Sequence, residues 1–139
     1  MNVRRRLANE ALRGRRYIAY ARCASPEGAE PKLQEQVRRI RRFGDSLDMQ
    51  CVDEVRMAGV SGWLPAMRTD LRELLARKRQ RDDYDVLIME DHARLTRTWP
   101  EGGLEIETEF GNCGVRIVYL TEAANDAGVP GRPPDASWT

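Results

Sequence analysis

Histidine and lysine are scarce in this 139-residue sequence: His92 stands alone, and only two of the 23 basic residues are lysine, Lys32 and Lys78. The three cysteines, Cys23, Cys51 and Cys113, lie far apart with no C-x-x-C pair. An odd, dispersed set with one histidine excludes a disulfide framework and a structural zinc site. No metal and no cofactor are expected. No apolar run approaches the roughly 20 residues that cross a bilayer, so no membrane partner is expected either. The N-terminus has arginines but no apolar h-region, which points to a cytoplasmic protein. Charge of one sign is also missing, since 23 basic residues face 22 acidic ones for a net charge of +1. A protein that coats nucleic acid generally would not be balanced in this way, so the distribution of charge has to be read instead.

What is present suffices for one domain, with 41% apolar residues to build a single core. The basic residues are nearly all arginine, a permanently charged planar fork that grips phosphate bidentately. Arg4, Arg5, Arg6, Arg13, Arg15 and Arg16 crowd residues 1–16 against one acid, Glu10. This stretch reads as a basic N-terminal arm, either a solvated leader or a contact for DNA through Arg4, Arg5 and Arg6. Acids gather later, at Asp82, Asp83, Asp85, Glu90 and Asp91.

Tyr17–Ala21 is an apolar strand signal, and Ser25-Pro26-Glu27-Gly28 is a loop by composition. Leu33, Val37, Ile40 and Leu47 share one face of a helix over 31–47, with Arg38, Arg39, Arg41 and Arg42 on the other. A strand over 50–56 and a loop over 57–67 follow. Thr69 and Asp70 open a helix carrying Leu71, Leu74 and Leu75. Tyr84–Met89 reads as a strand buried on both faces. A polar connection over 91–98, a helix over 100–111 and a strand over 115–120 complete the pattern. Residues 123–139 read as an irregular C-terminal tail. The alternation predicts an α/β protein: a three-layer α/β/α domain over 17–122 with a central, mostly parallel sheet of four or five strands.

In such folds ligands bind beyond the carboxyl ends of the strands. Arg22, Cys23, Ala24 and Ser25 gather at the first end, Ser61-Gly62 and Arg68 at the second, and Asp91, His92, Arg94 and Arg97 at the third. Arg94 and Arg97 are one helical turn apart. Converging arginines repel one another unless an anion sits among them, and a phosphodiester fits. Fixed guanidinium groups can stabilise the charge of its pentacoordinate transition state without a metal.

Taken in order, Tyr20-Ala21-Arg22 with a following serine, Gln36, Ser61-Gly62 with Arg68, and Arg94-Leu95-Thr96-Arg97 resemble the catalytic domain of the serine recombinases, the resolvase/invertase family. The resemblance runs from about Tyr17 to Glu122 and implies a resolvase-like domain for site-specific DNA strand exchange. In that reaction a serine hydroxyl attacks the scissile phosphate, forms a 5′-phosphoserine link and leaves a 3′-hydroxyl. It implies Ser25 as nucleophile, Arg22, Arg68, Arg94 and Arg97 as the groups that bind and activate the phosphate, and Gln36 and Ser61 as supporting polar groups.

The sequence departs from the family pattern at definite places. The usual nucleophile position is Ala24, with the hydroxyl one residue on at Ser25. Met57-Ala58-Gly59-Val60 precede Ser61 where an aspartate is usual, and Ala93 stands where another normally precedes Arg94. The family's long dimer helix and DNA-binding domain have no counterpart in Ala123–Thr139. Two readings follow: a recombinase domain, degenerate or truncated, acting on DNA as a homodimer or with a full-length recombinase partner; or a catalytically inactive resolvase-like domain that binds DNA or such a partner. For single residues the plainer readings are a turn hydroxyl for Ser25, a small core residue for Cys23, a solvated face for Arg94 and Arg97, and a loop histidine for His92.

Overall fold

In a computed structural model the chain is described at residues 8–23, 25–59, 69–96 and 99–123. Strand β1 spans Arg16–Cys23, helix α1 Ala29–Ser46, β2 Gln50–Ala58, α2 Thr69–Arg81, β3 Val86–Met89, α3 His92–Leu95, α4 Gly103–Asn112, β4 Arg116–Tyr119 and α5 Leu120–Ala123. The four strands form one sheet in the order β2-β1-β3-β4, and every pairing is parallel. Helices flank this sheet, so the sequence reading of a parallel α/β domain holds, with four strands.

The core follows from the alternation of side chains along β1. Tyr17 and Ala19 point to the α1 side and pack with Ile40, Leu47, Val86 and Ile88. Ala21 and Cys23 continue that face against Ala29, Leu33 and Val37, so Cys23 is the small core residue expected. Ile18 and Tyr20 face the other way, into a cluster with Leu71, Leu74, Leu87, Ile106 and Phe110. With both faces covered, Tyr17–Ala21 is a continuous apolar run and not an alternating one.

Local chemistry sets the boundaries. Gly28, in the left-handed region at φ 64°, is the N-cap of α1. The helix therefore starts at Ala29, two residues before the predicted Pro31. The predicted 91–98 connection contains the single turn α3. Leu120 ends the predicted last strand by opening α5. The predicted 123–139 tail lies outside the described residues except for Ala123.

The C-terminal part of the basic arm lies against the domain. Leu12 is buried beside Tyr17 and Leu47, and Gly14 N–H donates to Leu47 O at 3.0 Å. Arg13 pairs with Glu10 and Asp48. Arg16 closes a two-point fork on Asp85, Nε to Oδ2 at 3.0 Å and Nη2 to Oδ1 at 2.9 Å. Lys78 Nζ lies 3.4 Å from the same carboxylate.

Two outcomes follow from this packing. Arg16, with help from Lys78, holds the Asp85 carboxyl at about 2, below its ordinary 3.8. Because the folded value is depressed, the stabilisation is complete above about pH 4 and disappears as pH falls through about 2. Asp85→Asn should therefore lower the urea midpoint at neutral pH, and the gap to the parent should close in acid. At Gly44 an added Cβ would lie 2.7 Å from the buried ring of Tyr17. Gly44→Ala should cost about 1–3 kcal/mol of unfolding free energy through overpacking, read by denaturant titration.

Candidate active site

β1 runs past its last residue paired with β3, Ala19, to Cys23. The edge it leaves beyond β3 is closed by a side chain. Gln36, buried on α1, accepts from Arg22 N–H at 3.2 Å through Oε1 and donates Nε2–H to Arg22 O at 3.1 Å. One amide thus imitates a strand neighbour. The sequence needs glutamine here because a buried amide supplies a donor and an acceptor at once.

Arg22 lies one step on from Ala21, so its side chain leaves the α1 face and runs toward α3. Only 3% of it is exposed. Nε donates to Arg94 O at 2.8 Å, and Nη2 donates to Ala93 O. The guanidinium fork therefore holds the main chain of α3. Arg94 returns the contact, with Nη1 donating to Arg22 O at 3.1 Å. Arg22, Gln36 and Arg94, named separately from sequence, form one hydrogen-bonded knot at the carboxyl end of β1.

Ser25 lies beyond that knot, at the exposed start of the loop into α1, and its Oγ accepts Glu27 N–H at 3.3 Å. This is the turn-hydroxyl geometry. Across from it, Gly59 N–H donates to Cys23 O at 2.8 Å, which fixes the end of β2 beside the loop. Ala24, Ser61, Arg68, Arg97 and Arg4, Arg5 and Arg6 lie outside the described residues.

The structure gives Arg94 partners that lie outside the family motif. Glu90 Oε1 lies 3.5 Å from Arg94 Nη2, and Asp91 Oδ1 lies 3.6 Å from Arg94 Nε. Arg39, from the outer face of α1, donates Nε–H to Glu90 Oε2 at 2.7 Å. Glu90 and Asp91 precede Arg94 by four and three residues, a spacing that was visible in sequence. Arg39 is 51 residues from Glu90, and nothing in the sequence pairs them. His92, read as a loop residue, lies on α3 in a three-ring cluster with Trp99 and Tyr119, at centroid distances of 4.2 and 3.9 Å from them. Its Nε2 is 3.7 Å from Glu122 Oε2. Tyr119 Oη donates to Glu107, and burial pushes this phenol far up from its ordinary value. Among the described residues no group of three or more His, Cys, Asp or Glu could hold a metal ion. No described helix is long and apolar enough to cross a membrane.

A family model described as the resolvase N-terminal domain matches residues 17–132. The chain is similar to the C-terminal catalytic domain of ISC1926 TnpA, an IS607-like serine recombinase, at 26% identity and a TM-score of 0.64. That match covers 76% of this chain and 70% of the other. The N-terminal catalytic domain of TP901-1 integrase shares the fold at 20% identity and a TM-score of 0.67, over 78% of this chain and 79% of that one. The first ORF of transposon ISC1904 from Sulfolobus solfataricus P2 does so at 23% identity and 0.54, over 75% and 66%. No curated protein matches the chain.

Gln36→Leu tests the knot. It takes the Gln36 acceptor from Arg22 N–H and one of the two side-chain donors from Arg22 O, leaving Arg94 Nη1 on that carbonyl, which should cost about 1–3 kcal/mol. Hydrogen exchange at the Arg22 amide should quicken beyond what the global loss of stability explains.

Proposed function

The chain belongs to the serine recombinases through its resolvase N-terminal domain, and we propose that it acts in DNA strand exchange through a phosphoserine intermediate. The observation that carries this reading is the joining of Arg22, Gln36 and Arg94 at the carboxyl end of β1, next to the loop bearing Ser25. A phosphodiester would lie against Arg94, with Arg68 and Arg97 completing the cationic wall and Ser61 adding a hydroxyl. Ser25 Oγ would attack phosphorus and lose its proton, the P–O bond to the 3′ oxygen would break, and that oxygen would take up a proton and leave as a 3′-hydroxyl while a 5′-phosphoserine link forms. Guanidinium groups held in place before the reaction would stabilise the extra charge on the equatorial oxygens. DNA is the partner, reached also through Arg4, Arg5 and Arg6, and a second copy or a full-length recombinase would supply the opposing active site. The protein would work in the cytoplasm.

Ser25 Oγ favours a second reading, because it accepts a turn hydrogen bond and the residue before it is Ala24. In that reading the domain binds DNA or a recombinase partner without cutting. A nicked suicide substrate separates the two. The expected result is a covalent protein–DNA adduct that maps to Ser25 by peptide mass spectrometry and vanishes in Ser25→Ala. DNA binding that persists with no adduct gives the inactive domain. Binding that neither lengthens with the DNA nor weakens with salt would remove DNA as the partner altogether.

A further inference from the structure

We propose that Glu90 is a positioning residue for Arg94, anchored by Arg39 and assisted by Asp91, and that it trades phosphate affinity for orientation of the guanidinium. The inference rests on the reading of Arg94 as a phosphate ligand. Glu90 is the last residue before the turn into α3, and its main chain is fixed by Thr121 N–H donating to Glu90 O at 3.0 Å. Its two carboxylate oxygens do different work. Oε2 is taken by Arg39, through Nε at 2.7 Å and through Nη2. Oε1 is turned to Arg94 Nη2 at 3.5 Å. Arg39 is itself held from behind by Glu35, with Nη1 to Oε1 at 3.2 Å. A chain of alternating charge therefore runs Glu35, Arg39, Glu90, Arg94 from the outer face of α1 to α3.

The distances decide what this chain does. Arg94 is set by three acceptors: Arg22 O, which takes a full hydrogen bond, and the two carboxylates at 3.5 and 3.6 Å. At those separations the carboxylates attract the guanidinium but do not occupy its hydrogens. Arg94 Nε and Asp91 Oδ1 are both buried and both lack a hydrogen-bond partner. The guanidinium is thus aimed by the field of two anions; its buried Nε is closed to a ligand and Nη1 is held by Arg22 O, so a phosphate would be met chiefly through Nη2. Ala93, the residue immediately before Arg94, has no carboxylate to offer, so orientation has to come from Glu90 and Asp91. Each anion also repels an incoming phosphate, and Arg39 limits that repulsion by neutralising the half of Glu90 that does not face Arg94.

Glu90→Gln removes the charge and keeps the shape, which makes the two effects separable. In the free protein, ¹⁵N relaxation of the Arg94 Nε–H should show a more mobile side chain in Glu90→Gln, and Glu90→Asp should restore part of the order. Inorganic phosphate should bind Glu90→Gln about threefold more tightly, since one like charge has left the site. Adduct formation on the suicide substrate should slow about tenfold despite that tighter binding, because a misaimed guanidinium costs rate. Arg39→Gln should also loosen Arg94, but with no gain in phosphate affinity. An Arg94 side chain as ordered in Glu90→Gln as in the parent, or phosphate affinity lowered along with it, would overturn the proposal. Arg94→Gln isolates the underlying reading: if phosphate binding is indifferent to it, Arg94 is no phosphate ligand, whatever Glu90 does.

Discussion

The end of β1 is where the fold and the chemistry depend on the same atoms. β1 has a neighbour along both edges and side-chain cover on both faces, so its position is settled by burial of Tyr17 to Ala21. That burial delivers Arg22 to the one place where the strand outruns β3. A main chain left open there would cost about as much as a lost hydrogen bond at each buried group. Gln36 meets that need on the α1 side, and the Arg22 fork meets the matching need of α3 by taking the carbonyls of Ala93 and Arg94. Loosening any member of this knot would release a strand end and the turn that carries Arg94 together.

The charge balance of the sequence has the same root. An arginine-rich chain with almost no net charge could keep its signs apart or interleave them. Here they interleave: Arg16 with Asp85, Arg77 with Asp53 and Asp83, Arg41 with Glu54, and Arg39 with Glu35 and Glu90. Exposed pairs of this kind add little stability individually. Their effect is local, since each fixes a long side chain that would otherwise sample many rotamers. Arg77 shows the limit of the arrangement: with carboxylates on two sides, its own value rises and those of Asp53 and Asp83 fall.

Much of the scaffold was legible in sequence because it rests on periodicity. The helix carrying Leu33, Val37 and Ile40 and the apolar run before Glu90 declared their burial by spacing alone. Arg22, Gln36 and Arg94 were legible as members of an ordered set, though not as one hydrogen-bonded unit. That last step needed distance, because Gln36 and Arg22 are 14 residues apart and Arg22 and Arg94 are 72 apart. Arg38, Arg39, Arg41 and Arg42 look equivalent on a helical wheel. Only the position of β3 beside α1 singles out Arg39, by bringing Glu90 within its reach. His92 was misjudged for a related reason: its partners Trp99, Tyr119 and Glu122 come from segments that meet only after the sheet forms.

The arrangement of Arg22 and Ser25 separates two requirements that a phosphoryl-transfer site has to satisfy at once. Cationic groups must be rigid, since their contribution comes from being in place before charge develops. A nucleophile needs to approach, and it gains from a loop able to carry it in. Arg22 is buried and bonded to main chain, so in the proposed reaction it would meet the first requirement by stabilising the site and would leave direct contact with phosphate to Arg94, whose side chain is 28% exposed. Ser25 is exposed and tied by one turn hydrogen bond to Glu27 N–H. Giving up that bond in water costs little, because solvent replaces it. Ser25 lies between two fixed points, Cys23, whose carbonyl accepts from Gly59 N–H, and Gly28, the cap of α1, so the proposed attack would move the hydroxyl between those anchors while the arginines stay in place.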